Sequence, residues 1–180
     1  AALVADPRVQ GVMFTGSTAV AKLIQRRLAE RLTTTGQVVP LIAETGGQNA
    51  MIVDSSALAE QVVGDIISSA FDSAGQRCSA LRILCLQEDI AERTLAMLKG
   101  AMAELAIGNP DRLSIDVGPV ITDKARVGIS AHIAAMRGRG HAVTQLPLPP
   151  ETRGGTFVAP TLIEIAGIAD GEEALFPGRV

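Results

Sequence analysis

The chain has 180 residues, 47% of them hydrophobic and 19% charged, with a formal net charge of -3. That make-up suits a globular protein with a sizeable core, and the absence of any Lys/Arg block gives no electrostatic reason to expect nucleic acid. Charges such as Asp65, Arg82 and Lys99 interrupt every apolar run, so a membrane span is excluded. The two cysteines show neither disulfide nor metal spacing, which argues against zinc and for a reducing, cytoplasmic setting.

The first residues, "AALVADPRVQ", have no initiator Met and no basic leader, and read as if cut from a longer chain. "GVMFT" follows as a strand and runs into a helix from Ser17. In that helix Val20, Ile24, Leu28 and Leu32 make an apolar row, with Lys22, Arg26 and Arg27 on the wet face. A glycine at position 16 lets backbone approach a ligand closely, and the N–H groups opening the helix favour an anion such as phosphate. The plainer alternative is a Gly-Ser cap that binds nothing.

"VVPLIAE" reads as the next strand, ending in "ETGGQNA". A carboxylate at Glu44, at the mouth of a parallel sheet and followed by two glycines, suits a general base; the alternative is a solvated strand-end glutamate before a turn. A helix is expected from Ser55 to near Gly75, with Leu58, Val62 and Ile66 in one row and Val63, Ile67 and Phe71 in the next.

"SAGQRCSA" then puts Cys78 in a tight segment ahead of the strand "LRILCLQ". A thiol there is exposed yet held, and Arg77 beside it favours the thiolate, the form that attacks carbonyl carbon. Cys85 alternates into the apolar strand and is expected to be a buried structural thiol.

A third helix, "DIAERTLAMLKGAMAEL", buries Ile90, Leu95, Leu98, Met102 and Leu105 and stops at "GNPDR". A fourth spans "TDKARVGISAHIAAMRGRG", capped by Thr122 or Asp123. His132 and His141 fall near its Gly- and Arg-rich end and read as surface histidines. Residues 146–156 form a Pro- and Gly-rich loop before a last strand, "FVAPTLIEI". The alternation predicts an α/β fold, a parallel sheet with flanking helices, in which these few strands do not cover both helix faces.

"FTGST", "ETGGQNA" and "GQRCSA", in this order and at these separations, resemble the NAD(P)-dependent aldehyde dehydrogenase superfamily. "AETGGQNAMIVDSSAL" and "SAFDSAGQRCSALRILCLQ" look most like the glutamate-semialdehyde (pyrroline-5-carboxylate) dehydrogenase module of bifunctional proline-utilization proteins. The resemblance implies an incomplete aldehyde-dehydrogenase-like fold, with residues 1–48 closing the NAD-binding domain and 49–180 forming most of the catalytic domain.

It further implies NAD-dependent oxidation of L-glutamate γ-semialdehyde to glutamate in proline catabolism, NADP remaining an alternative. Cys78 matches the nucleophile that forms a thiohemiacetal and then a thioester, and Glu44 the base that activates the hydrolytic water. Gly16 and Ser17 match the turn facing the cofactor pyrophosphate, Thr45 lies near the nicotinamide, and Ser79 matches a position that holds the substrate carboxylate. The backbone N–H of Cys78 is one oxyanion donor. By the same resemblance the complete protein is a homo-oligomer with FAD in another domain. The tail "DGEEALFPGRV" does not match the E-V-F-G-P-V type motif expected there.

Two other functions compete. One is a catalytically incomplete scaffold; the other is a cysteine hydrolase, which needs His132 or His141 to fold back onto Cys78.

Overall fold

The computed structural model describes residues 2–165; the divergent tail 170–180 lies outside them. The chain divides into two compact units, Ala1–Gly47 and Gln48–Val180.

The first unit is a short helix, α1 (Ala2–Ala5), followed by β1 (Val12–Thr15), α2 (Thr18–Ala29) and β2 (Leu41–Glu44). β1 and β2 pair in parallel, Val12 opposite Leu41 and Thr15 opposite Glu44, because α2 carries the chain back between them. Ser17 caps α2 by accepting a hydrogen bond from the Val20 amide. Ala21 and Leu28 are the residues that α2 buries, and Leu32 falls beyond the helix in an isolated bridge to Val38. Arg31 Nε and Nη2 donate to the carbonyls of Val4 and Val9 at 3.1 and 2.6 Å, tying the N-terminal segment to the end of α2.

The second unit repeats that plan with β3 (Asn49–Val53), α3 (Ala59–Phe71) and β4 (Leu81–Leu86), the two strands again parallel. β3 is absent from the sequence expectation. Its apolar residues Met51, Ile52 and Val53 are consecutive rather than alternating, and only Gln48 separates its first residue from the glycine pair. The helix expected from Ser55 starts four residues later. Its serines are used in a turn instead: the Asp54 carboxylate accepts from the Ser56 amide at 2.8 Å, and the Ser55 amide donates to Gln87 Oε1 at 2.9 Å.

α4 (Glu88–Ala103) packs on α3, and Val63, Ile66, Leu81, Leu98 and Met102 form the main core. Thr122 caps α5 (Asp123–Gly138) by accepting from the Ala125 amide. The last pair, β5 (Ala142–Gln145) and β6 (Thr161–Glu164), is antiparallel, Ala142 opposite Glu164. The expected parallel pairing holds for β1–β2 and β3–β4 but not here: only a three-residue 3-10 turn lies between β5 and β6, so the chain returns without a crossover. Among the described residues the strands form three two-stranded pairs. The loop between β5 and β6 is not wholly on the surface, since Thr152 is buried in a 3-10 turn, Pro150–Thr152.

Candidate functional site

In the first unit the strand ends and the helix start meet. Thr15 pairs with Glu44, and the Gly16 amide donates to the Glu44 carbonyl at 3.1 Å, so Gly16, Ser17, Glu44 and Thr45 gather at the carboxyl edge of the β1–β2 pair. Gly16, Ser17 and Glu44 are exposed and Thr45 is half-buried. Helical geometry leaves the Thr18 and Ala19 amides without intrahelical partners, the arrangement that receives an anion. Gly16 has a packing reason of its own: a Cβ there would lie 2.5 Å from Cζ of the Phe14 ring.

Cys78 and Ser79 belong to the second unit and are exposed in the turn between α3 and β4. α3 ends in a 3-10 turn, Asp72–Gly75, where Ser73, Ala74 and Gly75 take φ of 56°, 53° and 67°. Left-handed backbone costs roughly 1–2 kcal/mol at each non-glycine residue, so this reversal persists because its surroundings hold it. At Gly75 a Cβ would meet the Ala70 carbonyl oxygen at 2.6 Å.

The holding contacts are side chains. Gln76 Nε2 donates to the carbonyls of Ser73 and Pro119 at 3.0 and 3.3 Å, and its Oε1 accepts from the Ile121 amide at 2.7 Å. Arg82 donates to the Gly75 carbonyl, and burial lowers its pKa from the ordinary value, with the nearby Arg77 charge a lesser cause. Arg77 Nη2 donates to the Ser68 and Ser69 carbonyls at 2.7 and 3.0 Å, so this guanidinium closes the end of α3. Asn49 Nδ2 donates to the carbonyls of Cys78 and Ala80 at 2.6 and 3.0 Å. Asn49, Gln76 and Arg82 were not singled out from the sequence as functional; the one available signal was that all three stand inside the quoted motifs.

Cys85 is exposed, contrary to the buried thiol expected. It lies opposite Ile52, itself 83% exposed, on a face of the β3–β4 pair that the described residues leave uncovered. The alternation was read correctly as a strand, but which face is covered depends on what packs there. The histidines also differ from expectation, both being half-buried. His132 borders a cavity of about 610 Å³ with Gln76, Arg82 and Ile133, and Cys78 is not in its lining.

A protein-family model described as aldehyde dehydrogenase family matches residues 1–167. The chain belongs to the aldehyde dehydrogenase family. It is 60% identical over 181 residues to the bifunctional protein PutA of Salmonella typhimurium, covering 98% of this chain and 14% of the relative. It is 33% identical over 163 residues to a 1-pyrroline-5-carboxylate dehydrogenase of Bacillus mycoides, covering 89% of this chain and 31% of that protein. A crystal structure of PutA from Bradyrhizobium japonicum superposes with a TM-score of 0.83 at 49% identity, over 93% of this chain and 17% of that one. The α/β architecture is therefore the aldehyde dehydrogenase fold, of which the chain spans a portion: about a seventh of the length of the PutA relatives. Among the described residues no helix is long and apolar enough to cross a membrane.

Proposed function

We propose that this chain supplies the thiol and the general base of an NAD-dependent dehydrogenase that oxidises L-glutamate γ-semialdehyde to glutamate in proline catabolism. The observation that carries the reading is Cys78, exposed at the apex of a turn whose backbone is held by four side chains, in a member of the aldehyde dehydrogenase family. The substrate class rests on the likeness to PutA and to a protein named 1-pyrroline-5-carboxylate dehydrogenase.

In this reading the Cys78 thiolate attacks the aldehyde carbon. A C–S bond forms, the carbonyl electron pair moves to oxygen, and the Cys78 N–H donates to that oxygen. The residues at the edge of the first unit fit a dinucleotide: Gly16, Ser17 and the opening amides of α2 would hold the pyrophosphate, and Thr45 would serve on the nicotinamide side. NAD, when bound there, would supply the hydride acceptor that conversion of the sulfur adduct to a thioester requires. Glu44 then takes a proton from water, whose oxygen attacks the thioester carbon; the C–S bond breaks, the thiolate leaves and glutamate is released. Ser79 holds the substrate carboxylate. Residues 1–48 close the cofactor domain, and those from 49 onward contribute to the thiol domain. In the complete protein a separate FAD domain accompanies an oligomeric dehydrogenase.

The hydrolase alternative draws no support, since among the described residues no histidine hydrogen-bonds to Cys78. The test is a PutA-length protein carrying these residues, assayed for NADH formation from glutamate semialdehyde. Cys78→Ala should give no NADH at all. NADH formation by that variant at the parent rate would sink the proposal.

A further inference from the structure

Asn49 has no part in the chemistry above, yet it touches the peptide of Cys78 itself. Its Nδ2 spans two carbonyls, Cys78 at 2.6 Å and Ala80 at 3.0 Å. Both partners are acceptors, so the amide must present its nitrogen to them, and both hydrogens of that nitrogen are used.

The backbone explains why a side chain is needed here. Along the β3–β4 pair Asn49 lies opposite Leu81, but Ala50 lies opposite Ile83, so Arg82 is an extra residue and the register shifts between Asn49 and Ala50. A bulge interrupts the ladder, bends the strand and leaves the chain ahead of it without regular pairing. The turn ahead of this bulge is Arg77–Ala80, with its own closing bond from the Ala80 amide to the Arg77 carbonyl at 3.2 Å. The Asn49 amide therefore joins β3 to the turn at the point where backbone pairing fails.

We propose that Asn49 is the positioning residue of the thiol turn: by holding the Cys78 and Ala80 carbonyls it sets the rotation of the Cys78 peptide, and with it the aim of the thiol. This rests on Cys78 being the nucleophile. Misplacing a reacting atom by about 1 Å costs on the order of 10²-fold in rate, so loss of the clamp acts on kcat rather than on substrate affinity.

Asn49→Asp keeps the shape and replaces the donor by an acceptor facing two carbonyls. In the 180-residue chain, hydrogen exchange of residues 77–82 should rise while that of α4 stays at the parent rate. In the PutA-length protein, kcat should fall about 10–100-fold with KM for the aldehyde within about twofold. The ratio of variant to parent kcat should recover as pH falls, because the carbonyls raise the pKa of the new carboxyl and its protonated form donates again. Exchange that rises equally in α4, or a kcat deficit that does not change with pH, marks a merely structural residue and overturns the proposal. Should Asn49→Asp not fold, Asn49→Ser retains one donor and the same exchange and KM-against-kcat comparisons apply. Full turnover by Cys78→Ala would remove the nucleophile and the positioning role together. Lost turnover in Cys78→Ala beside an Asn49 variant within about twofold of the parent overturns the positioning role alone.

Discussion

The two units use one plan, β1–α2–β2 and β3–α3–β4, each a parallel pair joined by a helix, but they place their candidate residues at opposite ends of it. Glu44 ends its strand and Gly16, Ser17 and Thr45 follow theirs, at the carboxyl edge, where the opening amides of a helix are available without special construction. Cys78 precedes its strand, at the amino end of β4, where no such feature exists. There the backbone is turned through three left-handed residues and held by Asn49, Gln76, Arg77 and Arg82. The first edge exposes helix-opening amides as a by-product of the β–α–β plan, whereas the backbone of the thiol turn is held by dedicated side chains.

The largest effect should separate the two thiols. In the PutA-length protein Cys78→Ala should abolish semialdehyde oxidation, while Cys85→Ala stays within about twofold, since exposure is common to both and only Cys78 sits in the clamped turn. Equal losses for the two, read as steady-state NADH formation, would erase the contrast between turn and strand.

Next is the edge of the first unit. Glu44→Gln removes the proposed base and leaves the thiol, so a first turnover of NADH should persist while steady-state turnover falls by about 10²–10⁴. A pre-steady-state trace with a burst and a slow phase is expected. Steady turnover within about twofold of the parent would return Glu44 to a solvated strand end. The same edge in isolation holds only one β–α–β unit, so calorimetry of the 180-residue chain should show weak NAD binding. Tight binding would mean that the second mononucleotide half is unnecessary.

Two smaller effects sharpen the difference in backbone construction. Gly75→Ala puts a Cβ at a φ of 67° and 2.6 Å from a carbonyl oxygen, and should destabilise the second unit by about 1–3 kcal/mol in urea unfolding. Gly16→Ala meets an aromatic ring rather than backbone, and a turn of Phe14 relieves it, so its cost should be the lesser of the two.

The smallest concerns pH. Asp54 has its pKa lowered by the Ser56 hydroxyl and then by the Ser56 amide. A carboxylate lowered on folding stabilises above its unfolded pKa, and that contribution is lost as pH falls through the folded value. Asp54→Asn should therefore lower stability slightly at neutral pH, with the difference from the parent shrinking as pH falls, so that the acid limb is flatter. An acid limb that superposes on the parent's would show that the turn after β3 does not depend on this charge.

Much of this was open to reading before any coordinates. Ser17 and Thr122 cap their helices because a cap is a contact between residues three apart, and the alternation of β1, α2, β2, α3, β4 and α4 follows from periodicities within single segments. Three ordered motifs carried the family, because spacing along the chain is itself sequence. Tertiary structure decided the rest. Cys85 is exposed because no described residue covers that face, β5 and β6 are antiparallel because no crossover α-helix lies between them, and β3 exists because β4, 32 to 33 residues further on, pairs with it. The Asn49 carboxamide reaches the Cys78 carbonyl across 29 residues of chain. Contacts of that span depend on how segments return to one another, which no local pattern encodes.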